Sequence, residues 1–217
     1  MTQMAIFTAL FGLLPILALT RVLVRSKGFK GFAGEFRVRL SAWVFLDRNQ
    51  YKALHNVTLP THDGTTQIDH IFVSRYGIFV VETKNFGGWI FGDPDQATWT
   101  QQLYSKTFTF QNPLRQNYKH TKALAALLDI PHTKIHSVVV FVGDSRFKTA
   151  MPDNVTQADG YIRYIQSKQA RLFTQAEVDT MVRAIKTRRL APSLATTRAH
   201  VRQLEQRHKN RKTRRIR

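Results

Sequence analysis

Asp69, Glu82 and Lys84 are the residues whose types and spacing point most directly to chemistry. They fall in the stretch Gln67–Lys84, QIDHIFVSRYGIFVVETK, where two β-branched, aromatic-rich runs flank Arg75, Tyr76 and Gly77. That pattern predicts a β-hairpin. A two-residue loop of Arg75 and Tyr76 pairs Ser74 with Gly77, which sets Asp69 opposite Glu82 and Gln67 opposite Lys84. Facing side chains have Cβ atoms about 4.5–5.5 Å apart, where like charges are destabilising. A divalent cation between the two carboxylates removes that cost, because hard cations favour carboxylate oxygens. Charges within such apolar runs are uncommon. An edge hairpin with solvated charges would nevertheless give the same letters, and a three-residue loop would slip the register and break the opposition.

Glu82 and Lys84 are two apart on one strand and therefore share a face. With two carboxylates holding a metal, bound water is acidified and charge developing on phosphoryl oxygens is offset. A lysine on the same face is placed to orient or deprotonate the nucleophilic water and to screen the transition state.

The flanking elements must position this set. Before it, Phe29–Ala33 reads as a glycine-bearing connection, and the chain from Gly34 to Leu46 has helical spacing, with Phe36, Leu40, Trp43 and Val44 as the apolar stripe. Glu35 falls in the first turn, where a carboxylate complements the helix dipole without any further role. Tyr51–Leu59 reads as a strand closed by Pro60 and the turn at Asp63 and Gly64. After the hairpin, a short strand over Trp89–Gly92 and two more over Thr98–Gln102 and Ser105–Phe110 extend the sheet.

Asn112 and Pro113 predict a helix start, with Asn as the cap and Pro in the first turn, running to about Leu128. Gln116, His120, Ala123 and Leu127 share one face of it. Gln116 lies near the helix N-terminus, where backbone N–H groups can meet phosphate, but spacing does not separate that role from a surface glutamine, and His120 reads as a boundary histidine. Ile135–Val142 is a continuous apolar strand suited to a sheet covered on both faces. Val155–Lys168 suggests a short strand and helix, and Thr174–Glu177 is a capping-box signature for a helix ending near Arg188. His132 and His136 have metal-like spacing but no cysteine or carboxylate partners, and are set aside.

The ends of the chain differ in character. Met4–Leu19 is an uncharged apolar run that continues through Val22–Val24. Taken to Val24 it gives a helix of about 31 Å, enough for a hydrocarbon core of about 30 Å. A signal peptide carries its charges before the apolar run, whereas here Arg21, Arg25, Lys27 and Lys30 follow it. The positive-inside rule therefore predicts a single-pass anchor in the cell membrane with the remainder in the cytoplasm. The expected organisation is an anchor over 1–26, a linker over 27–33, a globular domain over 34–190 and a basic tail over 191–217. The 33 Lys and Arg against 14 Asp and Glu, net +19, argue for polyanionic partners. The tail, with Arg207, Lys209, Arg211, Lys212, Arg214 and Arg215, suits phosphate backbones or anionic lipid headgroups equally; Lys119 is a further candidate contact to nucleic acid. The absence of cysteine excludes disulfides, thiolate catalysis and cysteine-bound zinc.

Taken in order, Gly34-Glu35, Gln67-Ile68-Asp69-His70, Tyr76-Gly77, Glu82-Thr83-Lys84-Asn85, Gly88, Trp99 and Asn112-Pro113 with Gln116-Asn117 resemble the nuclease-related domain, NERD, over roughly residues 34–128. That family is assigned to the restriction-endonuclease-like PD-(D/E)xK fold. The resemblance implies an α/β architecture, a mixed β-sheet flanked by helices, here preceded by one N-terminal transmembrane helix. It implies that Asp69 and Glu82 hold Mg²⁺ or Mn²⁺ and that Lys84 is the catalytic lysine, and it adds Glu35 as a metal ligand and Gln116 as a site residue. Ile68 replaces the proline of the superfamily's name, as is usual for this family.

The expected function is a membrane-anchored, metal-dependent nuclease acting on nucleic acid, DNA first. The alternative is a non-catalytic nucleic-acid-binding or membrane-scaffold module on the same fold. Paired carboxylates favour the nuclease, since without a metal they would repel phosphate. No P-loop pattern is present, so an ATP-driven partner such as a helicase would be a separate chain.

Overall fold

The computed structural model describes residues 27–62, 64–193, 195–203 and 206. The expected anchor over 1–26, and Arg207, Lys209, Arg211, Lys212, Arg214 and Arg215 of the basic tail, lie outside them. Among the described residues no helix is long and apolar enough to cross a membrane.

The centre is a mixed sheet of five strands in the order β1 (Lys52–Thr61), β2 (Gly64–Ser74), β3 (Gly77–Lys84), β7 (Ile135–Phe141) and β9 (Val155–Gln157). The first three form an antiparallel meander, and β7 and β9 run parallel to β3. Side chains alternate across each strand, so Ile78 and Val80 enter one apolar layer while Phe79 and Val81 enter the other. Helix α2 (Pro113–Leu128) and helix α4 (Gln175–Arg188) cover the first face through Leu124, Ala125, Val178 and Ile185. Helix α1 (Lys27–Phe45) and helix α3 (Gly160–Gln166) cover the second through Val38, Ala42, Tyr161 and Ile165. The buried β7 and the helix-flanked mixed sheet are as expected. So are the capping box, in which the Thr174 hydroxyl accepts from the Glu177 N–H and the Glu177 carboxylate accepts from the Thr174 N–H, and the Asn112 cap, whose side chain accepts from the Leu114 N–H.

Four expectations change. Residues 27–33 are not a linker but the opening turns of α1, because its two glycines there are tolerated at a cost of about 1 kcal/mol each. The stripe Phe36, Leu40, Trp43 and Val44 exists but faces outward; Val38, Ala42 and Leu46 are the residues that pack on the sheet. Strand β1 runs through Pro60 to Thr61, which a proline permits on an edge strand.

The fourth change is a second sheet. Strands β4 (Gly88–Phe91), β5 (Thr98–Leu103), β6 (Lys106–Gln111) and β8 (Ser145–Phe147) do not extend the first sheet but form their own, in the order β6-β5-β4-β8. The break falls at Gly88, with φ of +80° and a backbone so close to Gln102 that a Cβ would lie 2.2 Å from its carbonyl oxygen. Trp99 fills the junction, fully buried and stacked on Phe141 of the first sheet. The near part of the tail is ordered too: helical residues 195–203 fold back on β2, where the Thr65 hydroxyl meets His200 Nδ1 at 2.8 Å and donates to Gln203.

Candidate active site

The hairpin pairs Ser74 with Gly77 and continues to His70 opposite Val81, so Arg75 and Tyr76 are the loop. The β2–β3 ladder ends there. One step further the Thr83 N–H donates to the Asp69 Oδ2 at 2.9 Å, and a side-chain carboxylate has taken the place of a strand carbonyl. Beyond that point Glu82 and Lys84 pair only with Val139 and Phe141 of β7. Gln67 keeps its partner Thr58 on the β1 edge of β2, while the ladder on the β3 edge stops short of pairing it with Lys84. On the other side of Asp69, Asn56 adopts a left-handed φ of +50°, between residues that remain in register with β2.

Lys84 is the hub. Its Nζ donates to Glu82 Oε1 at 2.6 Å and to Gln116 Oε1 at 2.9 Å, so the lysine of β3 meets the first-turn glutamine of α2. Glu82 is buried, and its second oxygen has no hydrogen-bond donor. His120 Nε2 stands 3.4 Å from that oxygen, near enough for charge attraction but not aligned for a hydrogen bond. The opposite nitrogen, His120 Nδ1, is held at 2.7 Å by the Thr66 hydroxyl.

Burial pushes the Asp69 carboxyl well above the usual range, and the negative charge of Glu82 adds to the rise; the Thr83 N–H works against it. Burial would raise Glu82 as well, but the Lys84 ammonium and His120 outweigh it and hold Glu82 low. The pair is therefore one firmly ionised carboxylate beside one that resists ionising. Glu35 comes close enough to add to the rise at Asp69. It is delivered by a tight approach of α1 at Gly34, where a Cβ would lie 2.8 Å from that of Asn85 and 3.1 Å from Val142. Its own carboxylate faces Arg39 at 4.0 Å and, with the Asn56 amide oriented by its neighbours, the Asn56 nitrogen at 2.8 Å.

These donors suit a divalent cation. The bare Glu82 oxygen and the reluctant Asp69 are both features that a bound cation relieves. Among the described residues no three His, Asp or Glu side chains converge as a ready-made cage. Mg²⁺ keeps several waters and is commonly held by one or two carboxylates, which is what Asp69 and Glu82 offer.

Three positioning groups escape a reading of spacing alone. His120 is at the Glu82 carboxylate, Asn56 holds Glu35, and Asn117 fastens the strands behind the site. The buried Asn117 Nδ2 lies 2.8 Å from Val80 O, 2.9 Å from Ser137 Oγ and 3.0 Å from Val138 O, joining β3 to β7. Its place beside Gln116 in the Asn-Pro-Leu-x-Gln-Asn run was the available signal. Lys119 is exposed on α2. His132 and His136 part company, one against the Thr121 hydroxyl and the other stacked on Phe79.

Residues 30–142 match the family model described as NERD, nuclease-related domain. The chain is also 52% identical over 104 residues to an uncharacterized protein of Bacillus anthracis, a match that covers 46% of this chain and 48% of that protein. The chain thus spans about half the length of the curated relative it matches. No solved structure matches.

Proposed function

The chain belongs to the nuclease-related domain family, and from that premise we propose that it is a metal-dependent nuclease that hydrolyses phosphodiester bonds of nucleic acid, DNA being the first substrate to test. The observation that carries this reading is the contact of Lys84 Nζ with both Glu82 and Gln116, beside a buried Asp69 that is costly to ionise. A site built only to grip a polyanion gains nothing from paired carboxylates.

In this reading Asp69 and Glu82 hold Mg²⁺ or Mn²⁺, with Glu35 at the margin. The cation supplies positive charge that acidifies the attacking water and offsets charge developing on the phosphoryl group. Lys84, as the ammonium, donates a hydrogen bond that orients the attacking water, whose proton leaves to bulk solvent, and its charge stabilises the transition state. Gln116 keeps the ammonium from collapsing wholly onto Glu82. Lys119 and the basic tail residues Arg207, Lys209, Arg211, Lys212, Arg214 and Arg215 bind the phosphate backbone or anionic headgroups.

Membrane attachment through residues 1–26, with the globular part on the cytoplasmic side, belongs to the same proposal; its support is the apolar run Met4–Leu19, continued past Arg21 by Val22–Val24 and followed by Arg25, Lys27 and Lys30. The domain boundaries read from the sequence are proposed on the same footing, with the linker replaced by α1, and a separate ATP-driven partner remains a proposal.

The test is cleavage of labelled DNA and RNA by the full chain with Mg²⁺, Mn²⁺ or EDTA, alongside Asp69→Ala and Lys84→Ala. Metal-dependent cleavage lost in both variants supports the proposal. Cleavage that survives both substitutions overturns the site, and binding without cleavage in every metal moves the chain to the non-catalytic reading.

A further inference from the structure

Helix α1 carries the least expected surface of the molecule. Phe32, Phe36, Leu40, Trp43 and Val44 are each more than half exposed, 51–63%. At about 100° per residue they occupy an arc of roughly 120°, turned away from the Val38, Ala42 and Leu46 that grip the sheet, and they extend for about 18 Å. Single exposed apolar residues are ordinary, but a contiguous stripe of this kind marks an interaction site. Beside it runs an apolar groove of about 440 Å³, walled on the sheet side by Tyr51, Ala53 and Phe72.

From this face we infer that α1 lies on a bilayer of anionic phospholipid, with the stripe among the upper acyl chains. Three observations choose lipid over another protein surface. The uncharged run Met4–Leu19, continued by Val22–Val24, lies in the sequence immediately ahead of Lys27, the first described residue of α1, so an apolar segment adjoins this helix along the chain. Arginines accompany the stripe: Arg39 and Arg48 line the groove, and the Arg48 guanidinium lies 5.2 Å from the Trp43 ring centre. Phenylalanine, leucine and tryptophan on one face with basic residues beside them is the composition of interfacial helices, whose long cationic side chains reach headgroup phosphates. Tryptophan itself favours the headgroup level.

Since Glu35 lies on this helix and borders the candidate site, a bilayer under α1 would fix the orientation of the site to the membrane plane. This goes beyond the anchorage proposed for residues 1–26 and is separable from it. Resistance to alkaline washing reports an inserted segment, whereas the environment of Trp43 reports this helix.

The test uses the full chain bound to phosphatidylcholine–phosphatidylglycerol vesicles, with and without acyl-brominated lipid. Trp43 emission is expected to be quenched by the brominated chains; in a Trp89→Phe background, which removes the other exposed tryptophan and leaves only the buried Trp99, the quenching should vanish largely in Trp43→Phe. Leu40→Glu, at an exposed position, should leave the circular dichroism unchanged and reduce the quenching about tenfold. A chain that stays on vesicles with Trp43 unquenched overturns the inference. So does cross-linking that finds the stripe against a second copy of the chain.

Discussion

Gln116 Oε1 accepts a hydrogen bond from Lys84 Nζ at 2.9 Å, joining the first turn of α2 to the end of β3 across 32 residues of sequence. With the glutamine removed, the ammonium keeps only Glu82 as partner and settles on it. Gln116→Ala is therefore expected to lower kcat by about 10²-fold, and Lys84→Ala by more, with KM little changed. Steady-state cleavage of a labelled duplex measures both. Unaltered kcat in Gln116→Ala would remove this contact from the mechanism.

Asn117 makes a different prediction, about stability. Its buried amide serves carbonyls on both β3 and β7. Asn117→Leu leaves those carbonyls short of a donor, at a cost of roughly 2–4 kcal/mol for the two. Chemical denaturation should show a lower midpoint with an unchanged slope.

Divalent cations should stabilise the fold through Asp69 and Glu82. A cation that binds only the folded chain adds about 2.7 kcal/mol at a hundredfold excess over its Kd. Thermal unfolding with and without Mg²⁺ or Mn²⁺ is expected to show a rise in Tm. Asp69→Asn should raise the metal-free Tm, since the buried charge is gone, and abolish the response to metal. This reads the site without any requirement for turnover.

Acid should weaken the fold through His55 and His70. Their Nδ1 atoms meet at 2.9 Å, an arrangement for uncharged rings. Burial lowers His55 to about 4 and His70 to about 3; Arg39 opposes a charge on either, the two rings oppose each other, and only Glu82 favours a charge on His70. A base whose folded pKa is depressed keeps its full contribution above the unfolded value of about 6.5 and loses it as pH falls toward the folded one. At pH 5 the loss from the buried His70 alone is on the order of 2 kcal/mol. Tm measured from pH 7 to pH 4.5 should fall, and His55→Gln should flatten the slope.

The hairpin loop and its register as far as His70 opposite Val81 were legible because a β-strand has a period of two and the loop admits few lengths, but the expected pairings of Asp69 with Glu82 and of Gln67 with Lys84 lie beyond the end of that ladder. Helix α2 was legible because Asn112 and Pro113 signal a start by local chemistry. The second sheet was not, since β4 finds its partners in β5 and β8, 57 residues apart at Ile90 and Phe147, and nothing local reports that choice. Periodicity likewise showed that α1 has an apolar stripe without showing which way it faces. Glu35 and Gln116 were ambiguous by spacing and became site candidates through the resemblance; the contact of His120 with Glu82 depends on how far α2 lies from β3, a distance that no spacing encodes.

The clamp at Asn117 has a consequence for the order in which a newly made chain becomes competent. Asp69, Glu82 and Lys84 are all synthesised by residue 84, within the antiparallel meander of β1, β2 and β3. The lysine gains Gln116 only once α2 exists, and β3 gains its second neighbour only when β7 has emerged as far as Phe141. Domains generally fold as units, and synthesis proceeds at about 5–20 residues per second, so several seconds separate the making of the acids from the making of the strand that completes their surroundings. The acids and the lysine are made first, and the residues that complete their surroundings are made later.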